Sequence, residues 1–207
     1  MTQILELFAL ACLPAFLLLD LVVGHRRFQT TRFWRLKALA VSSVVVALSI
    51  ALPLIWGDLL GARSLIDGSR FGILGGALIG ILAYQLVHYW YHRTVHRFDF
   101  LWRHLHQMHH SAESIDAFGA NFLHPLDAFF FISFSTLMSF PVLGLEPEAG
   151  AIVGAFLAFN AMFQHANLRT PRWLGYVIQR PESHCIHHQR GVHAHNYADL
   201  PLIDMIF

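Results

Sequence analysis

Five long apolar stretches, separated by short polar segments, organise the chain. Ile4–Val23 is apolar apart from Glu6 and Asp20, with Pro14 placed to kink it. Ala38–Trp56 is cleaner, and its run is expected to end at Pro53 and Gly57. Phe71–Tyr91 is glycine-rich at its start and aromatic at its end, and Leu126–Leu145 carries Phe129, Phe130, Phe131 and Phe134. Ala149–Gln164 is shorter. A membrane-spanning helix needs about 20 apolar residues. The pattern therefore predicts an all-α, multi-pass membrane bundle of four to five membrane helices. The last two stretches, joined at Glu146-Pro147-Glu148, read equally well as a full hairpin or a shallow re-entrant one. Ile4–Val23 lacks a basic leader and a small-residue cleavage site, so it reads as a retained helix.

The charges give the bundle an orientation. Lysine and arginine outside the apolar stretches favour the cytoplasmic side. With alternate crossing, twelve of them (Arg26, Arg27, Arg32, Arg35, Lys37, then those at 93–103 and 169–190) share one face, and Arg63 and Arg70 take the other. Nearly every histidine falls on the twelve-charge face, giving a cytosolic, histidine-rich cap. The 56% hydrophobic and 13% charged composition excludes an ordinary soluble domain. A net charge of +1 offers no field for nucleic acid. Cys12 and Cys185 suggest no disulfide framework.

Fifteen histidines in so apolar a chain need a reason. His92 and His96 are spaced i, i+4. His106, His109 and His110 form HxxHH; His165 stands alone; His184, His187 and His188 form a second HxxHH. On a helix, positions i, i+3 and i+4 are expected to converge on one face. Clustered imidazoles repel when protonated and cost free energy near lipid, and a metal that binds the neutral ring removes both problems. Nine histidines exceed the ligand count of one ion. They suit two ions with four or five nitrogens each and an open position. Imidazole serves iron, zinc, copper and nickel, and paired iron with open positions is a route to oxygen activation. Glu113, Asp116, Asp127, Asp199 and Asp204 are candidates to orient the rings. His88 reads as a further ligand or as an interfacial ring against Tyr89 and Trp90, and His124, before a proline, as a ligand or a cap. His193 and His195 read as surface or outer contacts. His104 points away from the HxxHH face, and His25 belongs with the basic loop. Trp90, Tyr91 and Trp102 are expected as interfacial anchors. The phenylalanines at 129–134 line a lipid channel or face lipid. Gly72, Gly75, Gly76 and Gly80 have the spacing of a close helix contact.

Several of these elements together resemble the fatty acid hydroxylase/sterol desaturase superfamily of membrane di-iron oxygenases. They are Tyr89-Trp90-Tyr91-His92-Arg93-Thr94-Val95-His96, Leu101-Trp102-Arg103, His106-Gln107-Met108-His109-His110-Ser111 and His124-Pro125-Leu126-Asp127. With them go Gln164-His165-Ala166-Asn167-Leu168-Arg169, Pro181 through His188, and Asn196-Tyr197 with Asp204. The match runs over about 84–207, dividing the chain into N-terminal membrane helices at 1–83 and a hydroxylase-like region at 84–207. The resemblance implies two irons (zinc as a purified substitute) on His92, His96, His106, His109, His110, His165, His184, His187 and His188. His88, His124, His193, Asn167 and Asn196 are further ligands or outer contacts. It implies O2-dependent hydroxylation or desaturation of a lipid C–H bond, with electrons from a ferredoxin or a b-type cytochrome with its reductase. The bacterial inner membrane is the expected site, with the endoplasmic reticulum as the alternative. In similar proteins the chain continues past the residues matching Asp204–Phe207, and glycine is usual where Ala198 stands. A carotenoid hydroxylase of the same fold, a haem-binding membrane cytochrome and a metal-binding or transport protein are the competing readings. The chain has no HExxH of a zinc protease.

Overall fold

Long apolar runs without strand-like alternation close their backbone hydrogen bonds internally as helix. In the computed structural model, which describes residues 1–61, 63–112 and 114–207, no strand occurs among the described residues. Helix α1 is Thr2–Val23, α2 Trp34–Leu60 and α3 Gly72–Arg97. The short helices α4 (Asp99–Leu101) and α5 (Gln107–His110) flank a π-helical stretch, Trp102–His106. Helix α6, Pro125–Leu137, runs on through a second π-helical stretch, Met138–Val142, and α7 is Pro147–His165. Two short helices, α8 (Pro181–His187) and α9 (Pro201–Ile206), complete the order. Each helix from α6 to α9 begins with proline in its first turn, where the missing N–H costs nothing and φ is already helical.

Among the described residues, four helical segments are long and apolar enough to cross a membrane: Thr2–Val23, Trp34–Leu60, Gly68–Arg97 and Pro125–Val142. Their exposed Leu7, Val22, Leu54 and Leu74 make a surface suited to lipid. The fifth stretch forms α7, a continuous 19-residue helix that is not among the four. It carries Asn160, Gln164 and His165, all buried. Helix α2 also departs from expectation, running through Pro53 and Gly57 to Leu60 and stopping at Gly61, where φ is +63°. A helix broken at Pro53 would bare more backbone groups to lipid than the proline itself removes.

Helix α7 packs between α1 and α3, and α6 packs against α2 while also meeting α3. The α3–α7 contact is close because two glycines face it. A Cβ on Gly80 would lie 2.7 Å from Leu145 and 2.9 Å from Val153, and one on Gly76 would touch Ala149 at 3.4 Å. Gly72 and Gly75 meet nothing on a facing element. The point 83/84 lies inside α3.

Two polar anchors tie the cap to this frame. The Asp20 carboxylate near the end of α1 accepts from the backbone N–H of Ala117 (2.6 Å) and of Asn167 (2.9 Å). The buried Asp199 carboxylate accepts from Gln85 on α3 (2.8 Å) and Gln164 on α7 (3.1 Å).

Candidate metal centre

The histidines reach the cap from four directions: α3, the π-to-α segment at 102–110, the end of α7, and α8. All nine assemble, in two groups. His92, His96, His106, His110 and His187 form one, and His109, His165, His184 and His188 the other. Within each group one nitrogen from every ring lies within 4.8 Å of the rest.

The HxxHH triplets do not converge on one face each, as the sequence suggested. Each triplet gives its outer i, i+4 pair to one group and its inner histidine to the other. His106 and His110 join the five-membered group while His109 joins the four; His184 and His188 join the four while His187 joins the five. Adjacent helical residues diverge by about 100°, so 109 and 110 cannot aim at one point. The π-helical turn ending at His106 widens the coil where the first triplet begins.

Hydrogen bonding fixes several rings. His92 Nδ1 donates to the carbonyl of Tyr197 (3.1 Å), His165 Nδ1 to the carbonyl of Ala161 (2.7 Å), and His106 Nδ1 lies 2.7 Å from Asp127 Oδ2. Asp127 also accepts from Tyr91 Oη at 2.7 Å. A neutral imidazole that donates at Nδ1 presents a bare lone pair at Nε2. Yet Nε2 of His92 lies 2.9 Å from Nε2 of His106, and Nε2 of His165 lies 3.1 Å from Nε2 of both His109 and His184. Between His92 and His106, both held through Nδ1, lone pair faces lone pair at hydrogen-bond distance, which is repulsive unless a cation lies there; the bare Nε2 of His165 faces two rings whose own Nδ1 atoms are buried without a partner. Burial, and then repulsion from neighbouring imidazoles, holds His106, His109, His110, His184 and His188 well below the ordinary imidazole range. Burial brings His187 down to about 4. Neutral, buried, converging imidazoles are the donor set that a metal ion requires, so each group can hold one.

The other candidates take various places. His88 is buried against Tyr84, His92 and Phe131, 3.5 Å from Asp199, rather than at an interface with Trp90. His124 caps α6: its Nδ1 accepts from the N–H of Leu126 at 3.2 Å, and it joins neither group. His193 is exposed and touches His96 from outside, Nδ1 to Nδ1 at 3.2 Å. Asn167 is turned to the linker, where Oδ1 accepts from Arg26 and Nδ2 donates to its carbonyl. Asn196 sits at φ +56° with a buried, unpaired Oδ1, and joins neither group. His104 is exposed and bonds to the Phe100 carbonyl, and His25 is exposed in the linker.

Of the acidic candidates, Asp127 touches His106 directly. Asp204 acts at one remove by accepting from the N–H groups of Tyr197 and Ala198. Asp116 holds its own loop through Ser114 and Gly119. Glu113 lies outside the described residues. Ala198 is buried with no left-handed φ, so alanine is accommodated there. Tyr91 and Trp102 are not surface anchors. Tyr91 is half-buried on Asp127 and the 130–134 phenylalanines, and Trp102 packs on His96 and His110; only Trp90 is exposed. Phe131 turns inward, edge-on to His88, His92 and His106, while the half-buried Phe129, Phe130 and Phe134 pack on Trp56 and Tyr91. Gln85 was missed in the sequence. Its signal was a lone amide in the middle of an apolar span.

Fold and centre together define a class: a helical membrane protein whose cap carries paired histidine groups suited to metal. Residues 77–207, more than half of the chain, match the fatty acid hydroxylase family, and the chain belongs to it. The chain is 29% identical over 127 residues to a very-long-chain aldehyde decarbonylase of Oryza sativa subsp. indica, covering 58% of this chain and 48% of that protein. It is 30% identical over 103 residues to sphinganine C4-monooxygenase 1 of Arabidopsis thaliana, covering 49% of this chain and 40% of that one. The chain thus spans less than half the length of these curated relatives. No solved structure matches it.

Proposed function

We propose that the chain is a membrane-bound di-iron oxidoreductase that uses O2 to hydroxylate or desaturate a lipid C–H bond. The observation that carries this reading is the convergence of nine imidazoles in two groups, 92/96/106/110/187 and 109/165/184/188, with bare Nε2 lone pairs meeting between His92 and His106. Two irons there would supply the redox chemistry that reduces O2 and oxidises carbon. Zinc would fit the same donors in purified protein.

The chain's own residues perform the rest. Tyr197 O, Ala161 O and the Asp127 carboxylate hold three rings in the tautomer that leaves Nε2 free. Tyr91 donates to Asp127 and fixes its orientation. Phe131 gives the five-histidine side an apolar wall that keeps it dry and suits an alkyl chain. Electrons come from a separate donor, a ferredoxin or a b-type cytochrome with its reductase. The twelve-charge face is cytoplasmic, in the bacterial inner membrane or, alternatively, the endoplasmic reticulum. Residues 84–207 carry the chemistry and 1–83 the additional membrane frame. Similarity to a sphinganine monooxygenase and to an aldehyde decarbonylase supports a long-chain lipid over a carotenoid. The geometry disfavours haem, whose two axial imidazoles must stand on opposite faces of a flat ring.

The test is lipid analysis of cells expressing the chain or its His109→Ala variant under 18O2. New lipids that gain one 18O, or lose two hydrogens, only with the intact chain support the reading. Identical lipids in both strains contradict it.

A further inference from the structure

Away from the histidines, the linker between α1 and α2 folds over a cavity of about 370 Å3, walled by the end of α1, the loop before α6 and Asn167. Three arginines line it: Arg26, Arg27 and Arg35. None is ion-paired among the described residues, whose salt bridges involve other groups. The two carboxylates in the wall are already engaged. Asp20 accepts from Ala117 and Asn167, and Asp116 from Ser114 and Gly119.

Arg26 is the informative residue. Its backbone N–H and its Nε both donate to Asn167 Oδ1 (2.9 and 3.2 Å) and its Nη1 abuts Cys185 Sγ, so the guanidinium is held in place. Its Nη2 is buried with no partner. A buried, oriented, unsatisfied guanidinium nitrogen is costly. Arg35 lies over the Phe118 ring at 5.4 Å, which steadies a second guanidinium at the same cavity. The unengaged guanidinium groups of Arg27 and Arg35 match the oxygens of a phosphate group, and Arg26 adds fixed positive charge and one spare Nη2 donor beside them. A charge-setting loop needs arginines, but it needs neither a cavity nor a guanidinium fixed at its wall.

We propose that this cavity is an anion site that takes a phosphate group, with Arg26, Arg27 and Arg35 as its donors. Its position at the ends of two membrane helices suits a lipid headgroup, and free phosphate offers the same oxygens. The site is independent of the metal centre's chemistry, although Arg26 touches Cys185, the neighbour of His184.

The test uses the full chain, delipidated in detergent, with native mass spectrometry counting retained dioleoyl phosphatidic acid against dioleoyl phosphatidylcholine. Arg26 is left intact because it also ties Asn167 to the linker. The double variant Arg27→Gln/Arg35→Gln removes two donors from exposed positions. Arg97→Gln/Arg103→Gln removes equal charge elsewhere and serves as the control. Unchanged thermal melting and metal content show that the variants fold. Losing two charge-assisted hydrogen bonds should weaken phosphatidic acid binding about tenfold or more in the first variant, with the control close to wild type. Inorganic phosphate is then added. Displacement of the lipid supports the site and makes free phosphate a sufficient ligand. Retention of the lipid supports the site and makes the headgroup in its membrane the ligand. Equal weakening in both double variants, or none in either, overturns the proposal.

Discussion

The two histidine groups draw on the same sequence boxes, yet what stands behind them differs. In the five-membered group, His106 rests on the fully buried Asp127, itself oriented by Tyr91. In the four-membered group, the central ring, His165, rests only on the carbonyl of its own preceding turn, Ala161. A carboxylate behind an imidazole raises its basicity and fixes its tautomer more strongly than a carbonyl does. Trp102 and Phe131 wall the five-membered side, while the four-membered side borders the Arg26–Asn167 linker contact. The interleaved boxes thus build two sites that are near in space and unlike in character.

The comparison breaks most visibly if a central ring is removed. His92→Ala and His165→Ala should each abolish lipid oxidation, and each should cost its own group an ion while sparing the other, as read by metal analysis. A variant that loses both ions at once would show one merged site. The next effect sharpens the contrast. Asp127→Asn keeps the size of the side chain but not its charge, and should weaken one metal site about 10–100-fold. Chelator titration should then show one weakened ion and one unchanged, and two equally weakened ions would deny the asymmetry.

Acid should act on the metal-free chain through the same rings. His187, at about 4 when folded, and its depressed neighbours bind protons more readily once unfolded. The stability they contribute is therefore complete above about 6.5, the unfolded imidazole value, and falls as pH drops towards 4. The melting temperature of metal-free protein should decline across that window, and a flat profile would mean that the rings are not buried neutral.

Two smaller effects test the frame. Gly80→Val places atoms into Leu145 and Val153 and should cost about 1–3 kcal/mol in thermal unfolding, against little for Gly75→Val. His124→Ala should cost about 0.5–2 kcal/mol through the lost α6 cap and leave metal content untouched. Loss of an ion there would restore His124 as a ligand.

Much of this was legible in the sequence. The apolar runs gave the helical membrane class, and the spacing of His92 through His188 marked all nine rings that assemble. What spacing could not carry was how the rings are shared out. HxxHH reads as one face until a second element approaches from the opposite side, and then the inner histidine has its own group to join. His124 shows the same limit, since a histidine before Pro125 caps or ligates according to what lies opposite. Tyr91 and Trp102 read as anchors because aromatic residues near a span end usually are; here α6 and the 106–110 segment return to cover them. The length of α2 exceeded the expectation because proline ends helices more reliably in water than in lipid.

Counting metal ions per chain in detergent-purified protein, for wild type and two double variants, tests the interleaved pair most directly. The account predicts about two non-haem ions in wild type, about one in His106→Ala/His110→Ala and about one in His109→Ala/His188→Ala, with none when all four are changed. A wild type that binds a single ion or a haem, or a folded double variant that loses everything, would contradict it.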